Sequence, residues 1–260
     1  MRGYISALRL PACLYAGLLA LASFRLSNLN LALAWLPALD TFLIAIATMA
    51  HNDLRDCWHD AKKGKSFAAE HRKSFTIFVV VLWIIATIGS LFLLLQNCWY
   101  LLIAFGMIVS GLAYSELRQI PFVPNTMVAL TIASSVLYPV CWGKVFLPEL
   151  WSVFLIVMCL MYSREILKDF DDKEIDPGYK WTLLQKYQDD FAQFIAMCII
   201  AAGSRLTEIL TWPLLGLPGK ILQVPSLTLL FNEPNSETIK AAKLQLDLGL
   251  LMIALIFLLR

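Results

Sequence analysis

Nine apolar stretches separated by short polar segments constrain this chain more than any other feature. They cover about residues 7–27, 31–50, 75–95, 99–114, 123–142, 148–166, 188–204, 206–231 and 239–259. An α-helix of ~20 apolar residues crosses a ~30 Å hydrocarbon core, and there every backbone N–H and C=O must be satisfied inside the protein. Runs of this length meet both conditions only as helices. The chain has 260 residues, 59% of them hydrophobic and 15% charged, with a mean hydropathy of +0.70. A soluble domain is nearer a quarter charged. The sequence therefore predicts an all-α polytopic membrane protein with nine transmembrane helices. It reads as one domain over residues 1–260, with two possible halves at about 1–115 and 116–260. The eighth run holds Pro213, Gly216, Pro218, Gly219 and Pro225, which must break or kink it. The six cysteines are scattered with no CxxC pair, so they read as small packing residues and not as disulfides or zinc ligands.

The charges gather between the runs, and two acidic stretches stand out. Asn52-Asp53-Leu54-Arg55-Asp56-Cys57-Trp58-His59-Asp60 follows the second run, and a stretch from Arg164 to Asp176 follows the sixth. Asp53, Asp56 and Asp60 are spaced by three and then four, and Asp169, Asp172 and Asp176 repeat that spacing. On a helix each trio would share one face within about two turns. The motifs lie 116 residues apart (169 − 53), a layout that a distant duplication would produce. With nine spans and an inner amino terminus, Arg25, Lys144, Arg205 and Arg260 fall outside. Lys220 sits in the broken run, and the other sixteen of the 21 lysines and arginines fall inside. This positive-inside bias predicts a multi-pass protein of the cell membrane, its amino terminus and both acidic motifs cytoplasmic.

Carboxylates in this position need a partner. One at the bilayer centre costs roughly 2.5–3.5 kcal/mol, and crowded like charges repel. Six of them must be hydrated, paired with cations, or hold a metal. Hard oxygen ligands suit Mg²⁺, which shares its coordination with phosphates. Two facing clusters thus predict a clamp for a diphosphate leaving group, with nearby lysine and arginine assisting and a hydrocarbon tail housed among the apolar helices. The alternative is two solvated helix ends with internal pairs Asp60–Lys63, Asp169–Lys173 and Asp172–Lys168. The repeated spacing at two span ends favours the clamp. Asp40 and Asp247, which lie within apolar runs, read as rim residues or packing contacts. A net charge of +2 with no basic tail gives no sign of a nucleic-acid partner. A divalent-cation transporter would need acids along the membrane depth, and the outer side offers mainly Glu149 and Glu208.

Three motifs together carry a family resemblance. N-D-x-x-D-x-x-x-D at 52–60, R-E-x-x-x-D-x-x-D-x-x-x-D at 164–176 and Y-S-x-x-(K/R) at 114–118 resemble the UbiA-type intramembrane prenyltransferase superfamily, over essentially the whole chain. The resemblance implies nine helices around a central cavity open to the cytoplasmic side. It also implies Mg²⁺-dependent transfer of a prenyl group from an isoprenyl diphosphate to a hydrophobic or aromatic acceptor. That acceptor would be an aromatic acid or quinone precursor, a tetrapyrrole, or a glycerol-phosphate lipid. On this pattern Asn52, Asp53, Asp56 and Asp60 form the first metal–diphosphate cluster and Asp169, Asp172 and Asp176 the second. Asp56, Asp60, Asp172 and Asp176 would bear most directly on catalysis. Arg9, Tyr114, Ser115 and Arg118 match positions beside the diphosphate, and Lys63, Lys65 and Lys168 add basic charge. Many members follow the first motif with a segment resembling N-K-P-x-R-P-x-P-S-G. Here residues 61–67 contain neither proline nor arginine, and a lysine there would act as a point charge and not as a bidentate fork. Ionisation of the donor gives an allylic cation that the acceptor captures while water is excluded. A terpene cyclase of the same superfamily would instead close the cation on itself without an acceptor.

Overall fold

The computed structural model describes residues 2–62, 67–114, 116–117, 120–144, 147–172, 198, 201–202, 205–206, 209 and 236–259. Among the described residues the secondary structure is helical, with no strand. In chain order the helices are α1 (Arg2–Ala7), α2 (Leu10–Leu26), α3 (Trp35–Arg55), α4 (Cys57–Lys62) and α5 (Phe67–Glu70). They continue as α6 (Arg72–Phe92), α7 (Tyr100–Tyr114), α8 (Val123–Ser134), α9 (Pro148–Asp172) and α10 (Ser236–Leu259). Among the described residues, five stretches are long and apolar enough to cross a membrane: Leu31–Arg55, Arg72–Leu95, Val123–Trp142, Pro148–Asp169 and Ile239–Leu259. Shorter apolar helices, Cys13–Leu26 and Tyr100–Tyr114, account for the first and fourth runs. The runs at 188–204 and 206–231 lie almost wholly outside the described residues. On α6 the mean hydropathy reaches 2.8, and Ile77, Val80, Ile84, Ile88 and Leu91 are exposed. A helix that is apolar all round and still exposes one side belongs in lipid.

The first run was expected to be one helix over 7–27, and the chain breaks it. α1 stops at Ala7, Arg9 adopts the left-handed conformation (φ 44°, ψ 45°), and α2 begins at Leu10 with Pro11 in its first turn. Pro11 has no N–H to give to the carbonyl of Ala7, and its ring would collide with that carbonyl in a continuous helix. The fifth run changes winding as well. α8 ends at Ser134, and Ser135–Trp142 continues as a 3₁₀ helix containing Pro139.

Among the described residues, six helices pack in a ring. α3 packs on α2, α2 on α10, α10 on α9, α9 on α8, α8 on α7, and α7 back on α3. α6 lies outside, against α3 and α7. At the end away from the acidic motifs the ring is plugged. There the 3₁₀ segment touches α2, α3, α7, α8 and α9, with Ser135, Val136 and Tyr138 fully buried. Asp40 is part of this plug: it accepts a hydrogen bond from Ser90 Oγ (2.8 Å) and faces the Tyr138 hydroxyl at 3.4 Å, while Trp142 donates to Tyr100. Asp40 is thus the packing contact that its position suggested, 1% exposed and held by hydroxyl groups. The packed interior divides into one cluster across α2, α8, α9 and α10 and another across α2, α3, α6 and α7.

The α2–α3 contact is close because Gly17 lies on it. A Cβ there would stand 3.0 Å from the Ala38 carbonyl oxygen and 3.6 Å from Phe42 Cβ. A backbone carbonyl cannot swing aside, so Gly17→Val should cost about 1–3 kcal/mol by overpacking. Thermal unfolding of the purified protein in detergent measures this, and an unchanged midpoint would contradict the packing described.

Candidate active site at the open end of the ring

At the open end, α3 runs into the first acidic motif and then bends. The expectation of three aspartates on one straight helix face does not hold, because the axis turns at Asp56 between α3 and α4. The backbone bonding continues through the bend, Asp56 N–H to Asn52 C=O at 2.9 Å and Asp60 N–H to Asp56 C=O at 2.8 Å. What turns the chain is packing: Cys57 is buried with Ala7, Ala50, Ala68, Phe75 and Val79, which draws α4 onto α5. Asp56 itself is only 4% exposed. Around the bend, Arg72 lies over the Trp58 ring at 5.6 Å, and Tyr4 of α1 packs edge-on against Phe67 and Phe78.

Ion pairs hold the motif to its neighbours. The proline break turns Arg9 toward α3, where its guanidinium meets Asp53 Oδ1 at 2.6 Å. Arg55 pairs with Glu116, tying the end of α3 to the segment after Tyr114. On the opposite side of the ring, Arg164 donates from Nε to Asp247 Oδ1 at 2.7 Å and from Nη1 to Glu165 Oε1 at 2.8 Å. Lys168 reaches Glu165 Oε2 at 3.6 Å. Asp169 turns toward α8, where Asn125 Nδ2 donates to its Oδ2 at 2.8 Å in a buried contact.

Of these groups Arg9, Arg164, Glu165, Lys168 and Asp247 line a cavity of about 450 Å³. Its lining comes from around the ring: Arg9 just before α2, Thr48, Met49 and Asn52 from α3, Tyr114 from α7, and Val128 from α8. α9 adds Arg164, Glu165 and Lys168, and α10 adds Lys240, Lys243, Leu244 and Asp247. A narrower apolar chamber of about 50 Å³ lies deeper. It shares Thr48, Met49, Tyr114 and Val128 with the cavity and is otherwise walled by residues such as Ala16, Ala45, Gly111, Met127 and Ile132. The open end is therefore charged at its mouth and apolar at its floor.

Of the residues singled out from the sequence, Arg9, Asn52, Tyr114 and Lys168 line the cavity. Asp53, Asp56 and Asp169 are not on its lining: the first pairs with Arg9, the second is buried in the bend, and the third faces Asn125. Asp60 is half-buried on α4. Asp172 is the last residue of α9. Its side chain, together with Asp176, Lys63, Lys65, Ser115 and Arg118, lies outside the described residues, as does Lys173 of the alternative ion pairs. Among the described residues Lys168 pairs with Glu165. Among the described residues, no three of histidine, cysteine, aspartate and glutamate gather closely enough to hold a metal by themselves. Two buried oxygens on α3, Asn52 Oδ1 and Thr48 Oγ1, have no hydrogen-bond partner among the described residues. A buried oxygen without a donor is costly, and a hard cation or a ligand hydroxyl would relieve it. The donors present are thus of the kind that suits Mg²⁺.

Sequence reading missed the α10 wall. Asp247 is the polar packing contact its position suggested, anchoring Arg164, but it also lines the cavity together with Lys240 and Lys243. Lys240, Lys243 and Asp247 recur at three and four residues, one face of a helix, so a signal was present. Nothing local pointed that face at the acidic motifs, since α10 reaches α9 only through the fold.

A ring of apolar helices, with charges at one mouth and an apolar chamber beneath, is the architecture of a multi-pass membrane protein. The model of the UbiA prenyltransferase family matches residues 10–244, and the chain belongs to that family of membrane prenyltransferases. Among solved structures it is similar to one from work on digeranylgeranylglyceryl phosphate synthase in membranes. That likeness has a TM-score of 0.66 at 20% identity and covers 99% of this chain and 97% of the other. It is also similar to a UbiA homolog from Aeropyrum pernix K1, with a TM-score of 0.67 at 16% identity over 94% and 98% of the two chains. At these identities the likeness is one of fold. No curated protein matches the sequence.

The Arg164–Asp247 pair joins α9 to α10 with both side chains about three-quarters buried. Asp247→Ala leaves one guanidinium nitrogen without its carboxylate and should cost about 1–3 kcal/mol. Unfolding midpoints of Asp247→Ala, Arg164→Ala and the double variant would measure the coupling, and additive losses would show that the pair contributes nothing.

Proposed function

We propose that the protein transfers a prenyl group from an isoprenyl diphosphate to an acceptor, with Mg²⁺, at the open-end cavity. One observation carries this reading. α3 and α9, each bearing a three-four aspartate motif at its end, sit opposite each other in the ring and both wall the same cavity. Aspartates brought to this mouth from both helix ends would clamp a metal–diphosphate, and the apolar chamber below would receive the first carbons of a prenyl tail. The positive-inside bias supports an arrangement in which this mouth faces the cytoplasm.

Each group then has a task. Asn52, Asp53, Asp56 and Asp60 with Asp169, Asp172 and Asp176 would hold the metal. Bound Mg²⁺ neutralises diphosphate oxygens and so improves the leaving group. Arg9, oriented by Asp53, receives diphosphate oxygens together with Lys168, Lys63, Lys65 and Arg118, while Tyr114 and Ser115 flank the headgroup. Met49, Tyr114 and Val128 stand where cavity meets chamber and limit water at the donor's C1. The C1–O bond breaks, and its electron pair leaves with the diphosphate. The allylic cation left on the donor is captured by a carbon or oxygen of the acceptor, which then loses its proton. Excluding water matters because water would quench the cation.

Asp56→Asn and Asp172→Asn, purified in detergent with Mg²⁺, should each lower turnover of an isoprenyl diphosphate by about two to three orders of magnitude. Circular dichroism would check that both remain helical. Folded variants with wild-type turnover would remove the clamp, and a cyclised hydrocarbon from donor alone would replace transfer with cyclisation.

A further inference from the structure

At the neck between cavity and chamber one hydroxyl group is left without a use. Four residues border both spaces: Thr48, Met49, Tyr114 and Val128. The aliphatic hydroxyls in the chamber's lining are those of Thr48, Ser110 and Thr131. Thr131 donates to Ser110 Oγ at 2.8 Å, so two of these satisfy each other between α8 and α7. Thr48 Oγ1 is buried and has no hydrogen-bond partner among the described residues. On a helix a threonine hydroxyl has a ready acceptor in the carbonyl four residues back. Thr76 uses it, donating to the Arg72 carbonyl at 2.8 Å, and Thr126 donates to the Phe122 carbonyl at 2.8 Å. Thr48 does not bond the carbonyl of Ile44. Its Oγ1 turns toward α7, into space left by the missing side chain of Gly111, where a Cβ would overlap it. A buried hydroxyl without a partner is destabilising, and here a local remedy goes unused.

We propose that Thr48 is a catalytic residue whose hydroxyl donates to the bridging oxygen of the donor's C1–O bond. This rests on the prenyl-transfer reading and adds one contact to it. The argument is one of depth. Charged groups line the mouth, and mostly hydrocarbon side chains wall the chamber. An isoprenyl diphosphate laid along that gradient has its headgroup at the mouth and its carbon chain below, so the C1–O junction falls at the neck. Thr48 lies on the same face of α3 as Asn52 and roughly 6 Å deeper along the axis. That is the step from a group assigned to the metal to the start of the tail. When the C1–O bond breaks, its electron pair stays on the bridging oxygen, which gains negative charge as the diphosphate leaves. The proton of Thr48 remains on threonine, and only the hydrogen bond strengthens. A bond that strengthens as charge develops lowers the barrier more than it tightens ground-state binding.

Steady-state turnover by the full-length protein in lipid nanodiscs tests this. The probes are farnesyl and geranylgeranyl diphosphate with Mg²⁺, a lipid extract of the expression host supplies acceptors, and release of inorganic diphosphate is followed. Thr48→Val keeps the shape and removes the hydroxyl, and it should lower kcat about thirtyfold with KM within about threefold of wild type. Thr48→Ser keeps the hydroxyl and should hold kcat within about threefold of wild type. Without substrate, the melting midpoint of Thr48→Val should equal or exceed that of wild type, because a methyl group replaces a hydroxyl that has no partner. Valine and threonine have similar helix propensity, so α3 is retained. Three outcomes overturn the role while leaving the transfer reading in place, since wild type still turns over. They are wild-type kcat in Thr48→Val, an equal loss in Thr48→Ser, or a melting midpoint of Thr48→Val several degrees below wild type. The last would show that the hydroxyl is bound within the protein. Absence of diphosphate release by wild type would instead overturn the prenyl-transfer reading, and the role of Thr48 with it.

Discussion

A charge in hydrocarbon must be paired, hydrated or absent, and that requirement organises this molecule. It keeps charge off the outer face of α6 beyond its first turn, where Ile77, Val80, Ile84, Ile88 and Leu91 are exposed. It gathers the remaining charges at one mouth of the ring, where each cation has an acid within reach or opens onto a cavity. The far end shows the same rule in another form, because Asp40 is enclosed there by the hydroxyls of Ser90 and Tyr138. The polarity of the bundle, sealed at one end and charged at the other, follows from where charge can be tolerated.

Local backbone breaks turn that polarity into a site. Pro11 ends α1, and the left-handed Arg9 that results is an uncommon conformation for a residue with a Cβ, costing roughly 1–2 kcal/mol. The contact with Asp53 and the packing of α1 through Tyr4 offset that cost. A straight helix would carry Arg9 along α2 without this turn toward the acidic motif. The bend at Asp56 works in the same way, since packing of Cys57 sets the course of α4. Both breaks lie within a few residues of the cavity, which is where strain in a fold is commonly kept when it serves positioning.

The ring brings two helices far apart in sequence to the walls of one cavity. α3 and α9 are separated by α2 and α10 on one side and by α7 and α8 on the other, and they meet only across the cavity. α10 completes the circle with its polar face turned inward at the mouth and its apolar face in the core. The family likeness at 16–20% identity is consistent with this division, because ring and chamber can survive extensive substitution while volume and pattern are kept.

The sequence by itself determined the helical class, the course of most spans and the two aspartate motifs. Those properties are written in local periodicity and in the cost of carrying charge through lipid, and both can be read from neighbouring residues. It also placed Arg9, Asn52, Tyr114 and Lys168 at one site through the family resemblance. Only the tertiary structure decided that Asp53 serves Arg9, that Asp169 turns to Asn125, and that the α10 lysines and Asp247 face the motifs. Side-chain direction at a bend and the pairing of helices far apart in the chain are outcomes of packing. No single segment holds the information that settles them.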